Sequence, residues 1–184
     1  DCAFSPDGMY LAVAHNNSPR ITIYKRSGDT FTKLSDPSVL PTGIGRGCAF
    51  SPDGTYLAVA HSSSPYITIY KRSGDTFTKL SDPSVLPTGA GYDCAFSPDG
   101  TYLAVAHYAS PYITIYKRSG DTFSKLSDPS ILPTGAGQDC AFSPDGMYLA
   151  VAHLSSPYIT IYKRSGDTFT KLSDPSVLPT GAGY

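Results

Sequence analysis

Histidine and cysteine are the side chains here with the widest range of chemistry, and each occurs four times at one fixed spacing. The histidines are His15, His61, His107 and His153. Imidazole is a common metal ligand and proton carrier, but no second ligand stands at a local metal-binding spacing from any of them. We therefore predict partly exposed histidines that hydrogen-bond a loop, and neither a bound metal nor a cofactor.

The cysteines occupy one position of the repeated pattern, at Cys2, Cys48, Cys94 and Cys140. Each lies in a short apolar run, where a small buried hydrophobe is the expected role. A secreted disulfide scaffold would be denser in cysteine and would pair residues within one unit. We predict reduced, buried thiols, which favour an intracellular or recombinant setting, and no signal-peptide pattern opens the sequence.

Aspartate has a structural interpretation in the recurring turn Ser5-Pro6-Asp7-Gly8. Asp in such a turn bonds the local backbone, proline fixes φ early, and glycine supplies the freedom to close the turn. No phosphate loop, nucleophile elbow or paired-carboxylate motif is present. Every candidate residue is also repeated fourfold, which is unusual for one reacting centre. The sequence therefore predicts no catalytic residue.

Charge and hydropathy exclude two classes of partner. Fourteen Lys and Arg residues balance fifteen Asp residues, for a net charge of −1, with the signs interspersed. A nucleic-acid backbone needs a concentrated basic face. The longest strongly apolar run, of the type 10–14, is far shorter than the roughly 20 residues of a membrane helix. We expect neither nucleic-acid nor membrane binding.

The 184 residues are four copies of one 46-residue unit, with 37 columns identical in all four. A fixed period of this size indicates a solenoid, a propeller or an array. We expect one propeller segment, 1–184, with blades at 1–46, 47–92, 93–138 and 139–184.

Each copy contains four short runs of β-branched and aromatic residues, separated by turn formers, and no helical period. In the first copy the predicted strands are a (2–5), b (10–15), c (21–25) and d (30–34). Strand b is apolar on both faces, large side chains on one and small on the other, and should be buried on both sides. Four such strands cannot bury two apolar faces alone, so the units must stack. The predicted fold is all-β, a β-propeller of four-stranded antiparallel blades.

The repeated unit resembles blades of the WD-repeat and related propeller families in three runs, Phe4-Ser5-Pro6-Asp7-Gly8, 10–12 and 21–24. The resemblance recurs in every copy and so covers the whole chain. The resemblance implies that strand a lines a central channel and strand d lies outside. Two features depart from the WD pattern: 42–45 (Thr-Gly-Ile-Gly) replaces the expected Gly-His pair, and Tyr24-Lys25 replaces Trp-Asp. Identity this high between copies predicts recent amplification or a deliberately symmetrised, engineered sequence, and we favour the latter.

Nine columns vary, and six of them fall in the b–c and d–a connections, at one end of the blades. Binding surfaces favour Tyr and Arg anchors, although loops also collect drift. Both interpretations stay open. The candidate partner-binding residues are Asn16, Asn17, Arg20, Arg46, Tyr66, Tyr92, Tyr108, Tyr112, Gln138, Leu154 and Tyr158.

The function predicted from these patterns is a non-catalytic repeat scaffold for protein binding or self-assembly, with the variable loop face as its surface. Two alternatives remain: lectin-like binding of a small ligand between blades, and a lactonase-like propeller enzyme, since lactonase-like proteins have comparable blades. Open end blades would expose apolar faces. We therefore expect a homodimer in which two chains form one eight-bladed ring.

Overall fold

The computed structural model describes residues 1–183 as sixteen β-strands in four separate sheets, with no helix in that range. The strands are β1 (Cys2–Phe4), β2 (Tyr10–Ala14), β3 (Ile21–Ser27), β4 (Thr30–Lys33), β5 (Gly45–Phe50), β6 (Tyr56–His61), β7 (Ile67–Ser73), β8 (Thr76–Lys79), β9 (Gly91–Phe96), β10 (Tyr102–His107), β11 (Ile113–Ser119), β12 (Thr122–Lys125), β13 (Gly137–Phe142), β14 (Tyr148–His153), β15 (Ile159–Ser165) and β16 (Thr168–Lys171). No helix capable of crossing a membrane occurs among these residues.

Each sheet is an antiparallel meander whose strands follow chain order, so the predicted all-β fold of four repeated four-stranded blades is confirmed. Strand d lies at the outer edge of each blade, as predicted. The strands differ slightly from the sequence prediction. Strand a begins earlier in the later blades, at Gly45 for β5, because that residue pairs with His61 at the end of β6. Strand c continues to Ser27 because it pairs with β4.

The a–b turn is built by its own polar side chains, as the sequence predicts. The Ser5 hydroxyl donates to Asp7 Oδ1 at 2.5 Å and accepts from the Tyr10 amide at 2.9 Å. Asp7 Oδ1 also accepts the Met9 amide at 2.9 Å. Gly8 takes a φ of 67°, in the region that only glycine enters without steric cost. These local bonds fix the register between strands a and b in every blade.

The core lies between blades rather than within them. In the first of three junctions, Ala12 and Ile23 of one blade pack with Leu57, Val59 and Phe77 of the next. The small side chains of one strand b let the large side chains of the following blade approach closely. Burying each Leu, Val or Phe stabilises the fold by about 1.5–3 kcal/mol. Blade stacking therefore supplies most of the apolar burial.

A polar clamp also ties each blade to the next at the rim. The Tyr56 hydroxyl donates to Asp121 Oδ1 at 2.6 Å, and Lys71 Nζ lies 2.8 Å from Asp121 Oδ2. The Arg118 guanidinium stacks over the Tyr56 ring at 4.9 Å. The same contacts recur at the other junctions, through Asp75 and Asp167. This clamp links the blades although the Trp-Asp pair of WD repeats is missing.

The b–c and d–a connections meet at one end of the blades, as the strand directions predict. Their backbones touch across the junction: the Ser62 amide donates to the Ile44 carbonyl at 3.0 Å. Gly45 is required here, because a Cβ would lie 2.2 Å from the Arg20 carbonyl oxygen. Arg20 itself has a φ of 68°, a strained value for a residue with a long side chain. The backbone at this end of the arc is therefore tightly packed.

Candidate active site

The inner strands β1, β5, β9 and β13 lie side by side along the concave edge of the arc. In the last three blades the register between strands a and b shifts at the start of the inner strand, for example between Gly45 and Gly47. Such bulges re-aim side chains and are common beside active sites. The residues that follow the bulge are therefore the first candidates for a functional site.

An aspartate directly before the cysteine of the inner strand bonds the next blade. Asp1 Oδ2 accepts the Cys48 amide at 2.8 Å, and Asp93 Oδ2 accepts the Cys140 amide at 3.0 Å. The Cys140 thiol is a further donor to Asp93 Oδ2, at 3.6 Å. Each of these carboxylates thus forms a hydrogen bond across a blade junction, at the inner strands.

Asp93 differs from Asp1 in having a second carboxyl beside it. Burial, reinforced by a hydrogen bond with Asp139 and by its charge, raises the pKa of Asp93 to about 7. Two adjacent carboxyls cannot both ionise easily, which is how paired acids obtain separated pKa values. Asp1 has no such neighbour, since the matching position in the next blade is Gly47.

Gly47 also makes room for this arrangement. A Cβ at this position would lie 2.6 Å from the Asp93 Cα and 2.7 Å from its Oδ1. Contacts that short do not occur, so a side chain at position 47 would displace Asp93. The single glycine in an otherwise aspartate column therefore permits the placement of Asp93 beside Asp139.

A cation lies at the same end of the inner strands. The Arg46 guanidinium stacks over the Tyr92 ring, 4.1 Å from its centroid. Its Nη1 atom is buried and has no hydrogen-bond partner among residues 1–183. A buried donor without a partner costs about 1–3 kcal/mol. Arg46 therefore holds one buried N–H group without a partner among residues 1–183, at the start of β5.

These side chains together suit acid–base chemistry on a polar substrate. A carboxyl with a pKa near neutrality can both take and return a proton at physiological pH. The pKa of Asp93 is raised to about 7 by burial and by the neighbouring Asp139 carboxyl, and Arg46 carries positive charge on the neighbouring inner strand β5. Among residues 1–183 no group of three or more His, Cys, Asp or Glu side chains is placed to hold a metal ion.

The prediction of partly exposed, loop-bonding histidines is wrong for three of the four. His61, His107 and His153 are fully buried, and only His15 stays partly exposed. Each Nε2 pairs with a threonine hydroxyl on strand c rather than with a loop, as His61 does with Thr68 at 2.9 Å. Burial lowers the pKa of His61 and His107 to about 4. They are neutral core residues near pH 7.

The prediction of buried, reduced thiols is confirmed for three cysteines. Cys48, Cys94 and Cys140 are buried and free, whereas Cys2 is free but exposed. Burial raises the pKa of Cys48 to about 11 and raises those of Cys94 and Cys140 well above the usual value. Cys2 is exposed because no blade precedes it among the described residues.

The predicted partner-binding residues all lie at the variable end but not as one patch. Tyr108, Tyr112 and Leu154 line one groove of about 370 Å³ between the last two blades. Arg46 and Tyr92 form the stacked pair described above. The others are spread along the arc: Asn16 and Asn17 are exposed, and Arg20, Tyr66, Gln138 and Tyr158 are half-buried. Arg20 Nη1 donates to the Pro41 carbonyl at 2.9 Å.

Sequence reasoning did not single out Asp93 and Asp139, which the structure places as neighbours on adjacent inner strands. The signal was the variable column that reads Asp1, Gly47, Asp93 and Asp139. The hydrogen bond between the Asp93 and Asp139 side chains crosses a blade junction, so only the packing of the blades reveals it. Arg46 and Tyr92 were identified as candidate contacts for a partner, and the structure stacks their side chains against each other.

Residues 1–84 match the seven-bladed lactonase propeller family. The match covers less than half of the 184 residues. Comparison with curated proteins found no match.

Solved structures share the propeller fold. A Lactobacillus plantarum protein superposes with a TM-score of 0.79 at 20% identity, over 99% of this chain and 56% of its own. A Bacteroides uniformis protein, provisionally assigned as a 6-phosphogluconolactonase, gives 0.76 at 23% identity, over 92% and 52%. The Pseudomonas aeruginosa periplasmic gluconolactonase gives 0.70 at 20% identity, over 94% and 52%. The chain thus spans about half the length of these structures.

These comparisons contradict the prediction of a non-catalytic scaffold. The family match names lactonases, and two of these structures are described as lactonases. The four copies are also not equivalent along the inner strands: Gly47 breaks the aspartate column and Arg46 occurs once. The lactonase-like alternative is the better supported function. WD-repeat identity and an engineered origin stay predictions.

Proposed function

We propose that this chain contributes to the channel site of a lactonase-type propeller, which hydrolyses a cyclic ester to its hydroxy acid. The observation that carries the proposal is the carboxyl pair of Asp93 and Asp139 on adjacent inner strands, with the pKa of Asp93 raised to about 7. The match of residues 1–84 to the lactonase propeller family supports the same reaction class.

In the proposed reaction one carboxyl group, that of Asp93, acts first as a general base and then as a general acid. Ionised Asp93 takes a proton from water while the water oxygen attacks the lactone carbonyl carbon. The tetrahedral intermediate collapses by breaking the ring C–O bond. Asp93 then returns its proton to the departing ring oxygen, which becomes the hydroxyl of the product, and proton transfer of this kind contributes about 10²–10⁴-fold to rate.

The neighbouring side chains have supporting roles in this scheme. Burial, together with a hydrogen bond to Asp139, holds the pKa of Asp93 above its usual range. The Cys140 amide fixes the position of Asp93 Oδ2. Arg46, whose Nη1 lacks a partner among residues 1–183, would donate to the carbonyl oxygen as negative charge develops there.

The proposed substrate class is a polar sugar lactone. The inner strands present carboxyl, guanidinium, phenol and amide groups at Asp93, Arg46, Tyr92 and Gln138. The names of the Bacteroides uniformis and Pseudomonas aeruginosa neighbours point to gluconolactones. In this proposal the variable loop face borders the channel mouth, so its side chains would meet substrate. Their role in binding a protein stays a prediction.

The test is hydrolysis of glucono-δ-lactone by the purified chain, followed by proton release in weak buffer and corrected for the spontaneous rate. We expect Asp93→Asn to lower kcat at least about 100-fold. Asp1→Asn is the matched control, because it alters the same carboxyl-to-amide bond at a junction without a carboxyl pair. It should retain activity.

The pH dependence gives a second readout of the same proposal. Because Asp93 must be ionised to act as a base, kcat should rise with pH through about 7. Asp139→Asn removes the charge that helps to raise this pKa, so the rise should move to lower pH. An Asp93→Asn variant that hydrolyses the lactone at the rate of the unaltered chain would refute the assignment.

A further inference from the structure

A groove of about 370 Å³ lies at the variable end of the junction between the third and fourth blades. Two of its walls are the side chains of Tyr108, from one blade, and Leu154, from the next. Both are exposed, Tyr108 at 60% and Leu154 at 38%. At the matching positions the first two blades carry Asn16 and Ser62, so the earlier junctions lack this apolar pair. The third junction therefore has a surface that the repeated fold does not itself require.

The rest of the groove is polar but uncharged. Ser110, Thr134 and Ser155 contribute hydroxyl groups, and Tyr112 contributes a second phenol ring. None of the described residues that line the groove carries a charge. A charged ligand would lose hydration there without gaining a counter-ion. An uncharged ligand with several hydroxyl groups would instead find hydrogen-bond partners beside an apolar wall, the usual composition of a small-molecule site.

The groove also contains a backbone N–H group whose counterpart is bonded to a side chain. In the first junction the Ile44 amide donates to the Ser62 hydroxyl at 2.9 Å. In the third junction Ala136 is the matching residue, and Leu154, which replaces Ser62, has no oxygen to accept this bond. The Leu154 amide still donates to the Ala136 carbonyl, at 3.2 Å, so the two backbones remain paired. The replacement therefore leaves the Ala136 N–H without the acceptor that its counterpart has.

The groove adjoins the inner strand that carries Asp139. Ala136 lines the groove and directly precedes β13, in which Asp139 is the third residue. At about 3.3 Å per strand residue, the Cα atoms of Ala136 and Asp139 are at most about 10 Å apart. The bulge between Gly137 and Asp139 shortens this path further. The groove is therefore continuous with the candidate site around the Asp93–Asp139 pair.

We propose that the groove binds an uncharged sugar ring, the glycosyl substituent of a lactone whose ester group lies at Asp93. This inference rests on the proposed function and narrows its substrate class to the lactones of disaccharides. The apolar face of a pyranose ring would pack on the exposed Tyr108 ring. Its hydroxyl groups would accept from the Ala136 N–H and bond the Ser155 hydroxyl. A single lactone ring at Asp93 would leave these groups unused.

The test compares glucono-δ-lactone with cellobiono-δ-lactone and maltobiono-δ-lactone, which add a glucosyl ring in two linkages. For at least one of the disaccharide lactones we expect kcat/KM to be about tenfold higher. Tyr108→Ser introduces the side chain that Ser62 has at the matching position. It should raise KM for that lactone about tenfold and leave both constants for glucono-δ-lactone unchanged. Leu154→Ser should act in the same way, because its hydroxyl would accept the Ala136 N–H.

Asn16→Ser is the matched control, since it changes the same column of the repeat in the first blade, outside the groove. It should alter none of these constants. Tyr108 is exposed and the second copy folds with serine in its place, so circular dichroism should show the native fold in Tyr108→Ser. Equal kcat/KM values for the three lactones, or an unchanged KM in Tyr108→Ser, would overturn the sugar subsite while hydrolysis of glucono-δ-lactone still stood.

Calorimetric titration with cellobiose and with maltose separates the groove from the reaction, because neither sugar contains a lactone. We expect at least one of them to bind at one site per chain, and Tyr108→Ser to weaken that binding about tenfold. This result would support the subsite even if no lactone were hydrolysed and the proposed function failed. If neither sugar binds, or if Tyr108→Ser binds as tightly as the unaltered chain, the subsite is overturned whatever the rate on glucono-δ-lactone.

Discussion

Replacing a buried histidine should change how the stability of this protein depends on pH. His61 and His107 are fully buried, each with Nε2 bonded to a threonine and Nδ1 without a partner among residues 1–183. Burial disfavours the charged imidazolium and lowers both pKa values from 6.5 to about 4. Between these values the unfolded chain binds more protons than the folded one. Stability is therefore retained above pH 6.5 and lost as the pH falls toward 4.

The size of the effect follows from linkage. For one histidine with a folded pKa of about 4 and an unfolded pKa of 6.5, acidification from pH 7 to pH 5 removes about 2 kcal/mol of the free energy of unfolding. His61 and His107 together should remove about 4 kcal/mol. That is a large fraction of the roughly 5–15 kcal/mol by which domains are usually stable.

The assay is urea unfolding followed by circular dichroism at pH 7, 6 and 5, at one protein concentration. His61→Gln keeps a hydrogen-bonding group near the former Nε2 position but cannot be protonated. We expect the loss of stability between pH 7 and pH 5 to shrink by about 2 kcal/mol relative to the unaltered chain. His15→Gln is the matched control for the substitution itself, since that ring is partly exposed.

The variant need not be as stable as the unaltered chain at pH 7, because glutamine also changes packing. The informative quantity is the difference between the two pH values within each variant. If His61→Gln loses as much stability on acidification as the unaltered chain, burial does not depress the pKa of this histidine, and the reasoning is refuted.

Two further pairs of substitutions test the contacts that hold each blade together. Gly91→Ala would place a Cβ 2.4 Å from the Tyr66 carbonyl oxygen, so we expect a loss of about 3 kcal/mol in thermal or urea unfolding. Gly74→Ala, with open space but a φ of 58°, should lose only about 1 kcal/mol, and equal losses would contradict the steric argument. Thr114→Val leaves a buried histidine Nε2 without its partner and should cost about 1–3 kcal/mol. Thr122→Val, on an exposed strand edge, should leave the unfolding midpoint nearly unchanged.

The fold of this protein was predictable because its signals are local and repeated. The turn 5–8 and the alternation of strand b recur every 46 residues, and each depends on neighbours within one blade. The doubly apolar strand b also required the blades to stack. Four near-identical units that stack by one rule must make an arc of blades, so the architecture followed from the sequence.

The candidate site depends instead on contacts between blades. Asp93 meets Cys140, 47 residues away, and the clamp joins Tyr56 to Asp121, 65 residues away. The repeat shows which residues occupy equivalent columns, but not which columns face each other across a junction. That register is set by how the small face of one blade receives the large face of the next. Tertiary packing therefore decided that burial and a neighbouring carboxyl raise the pKa of Asp93 and that three of the four histidines lie in the core, because burial and proximity, rather than residue type, set these properties.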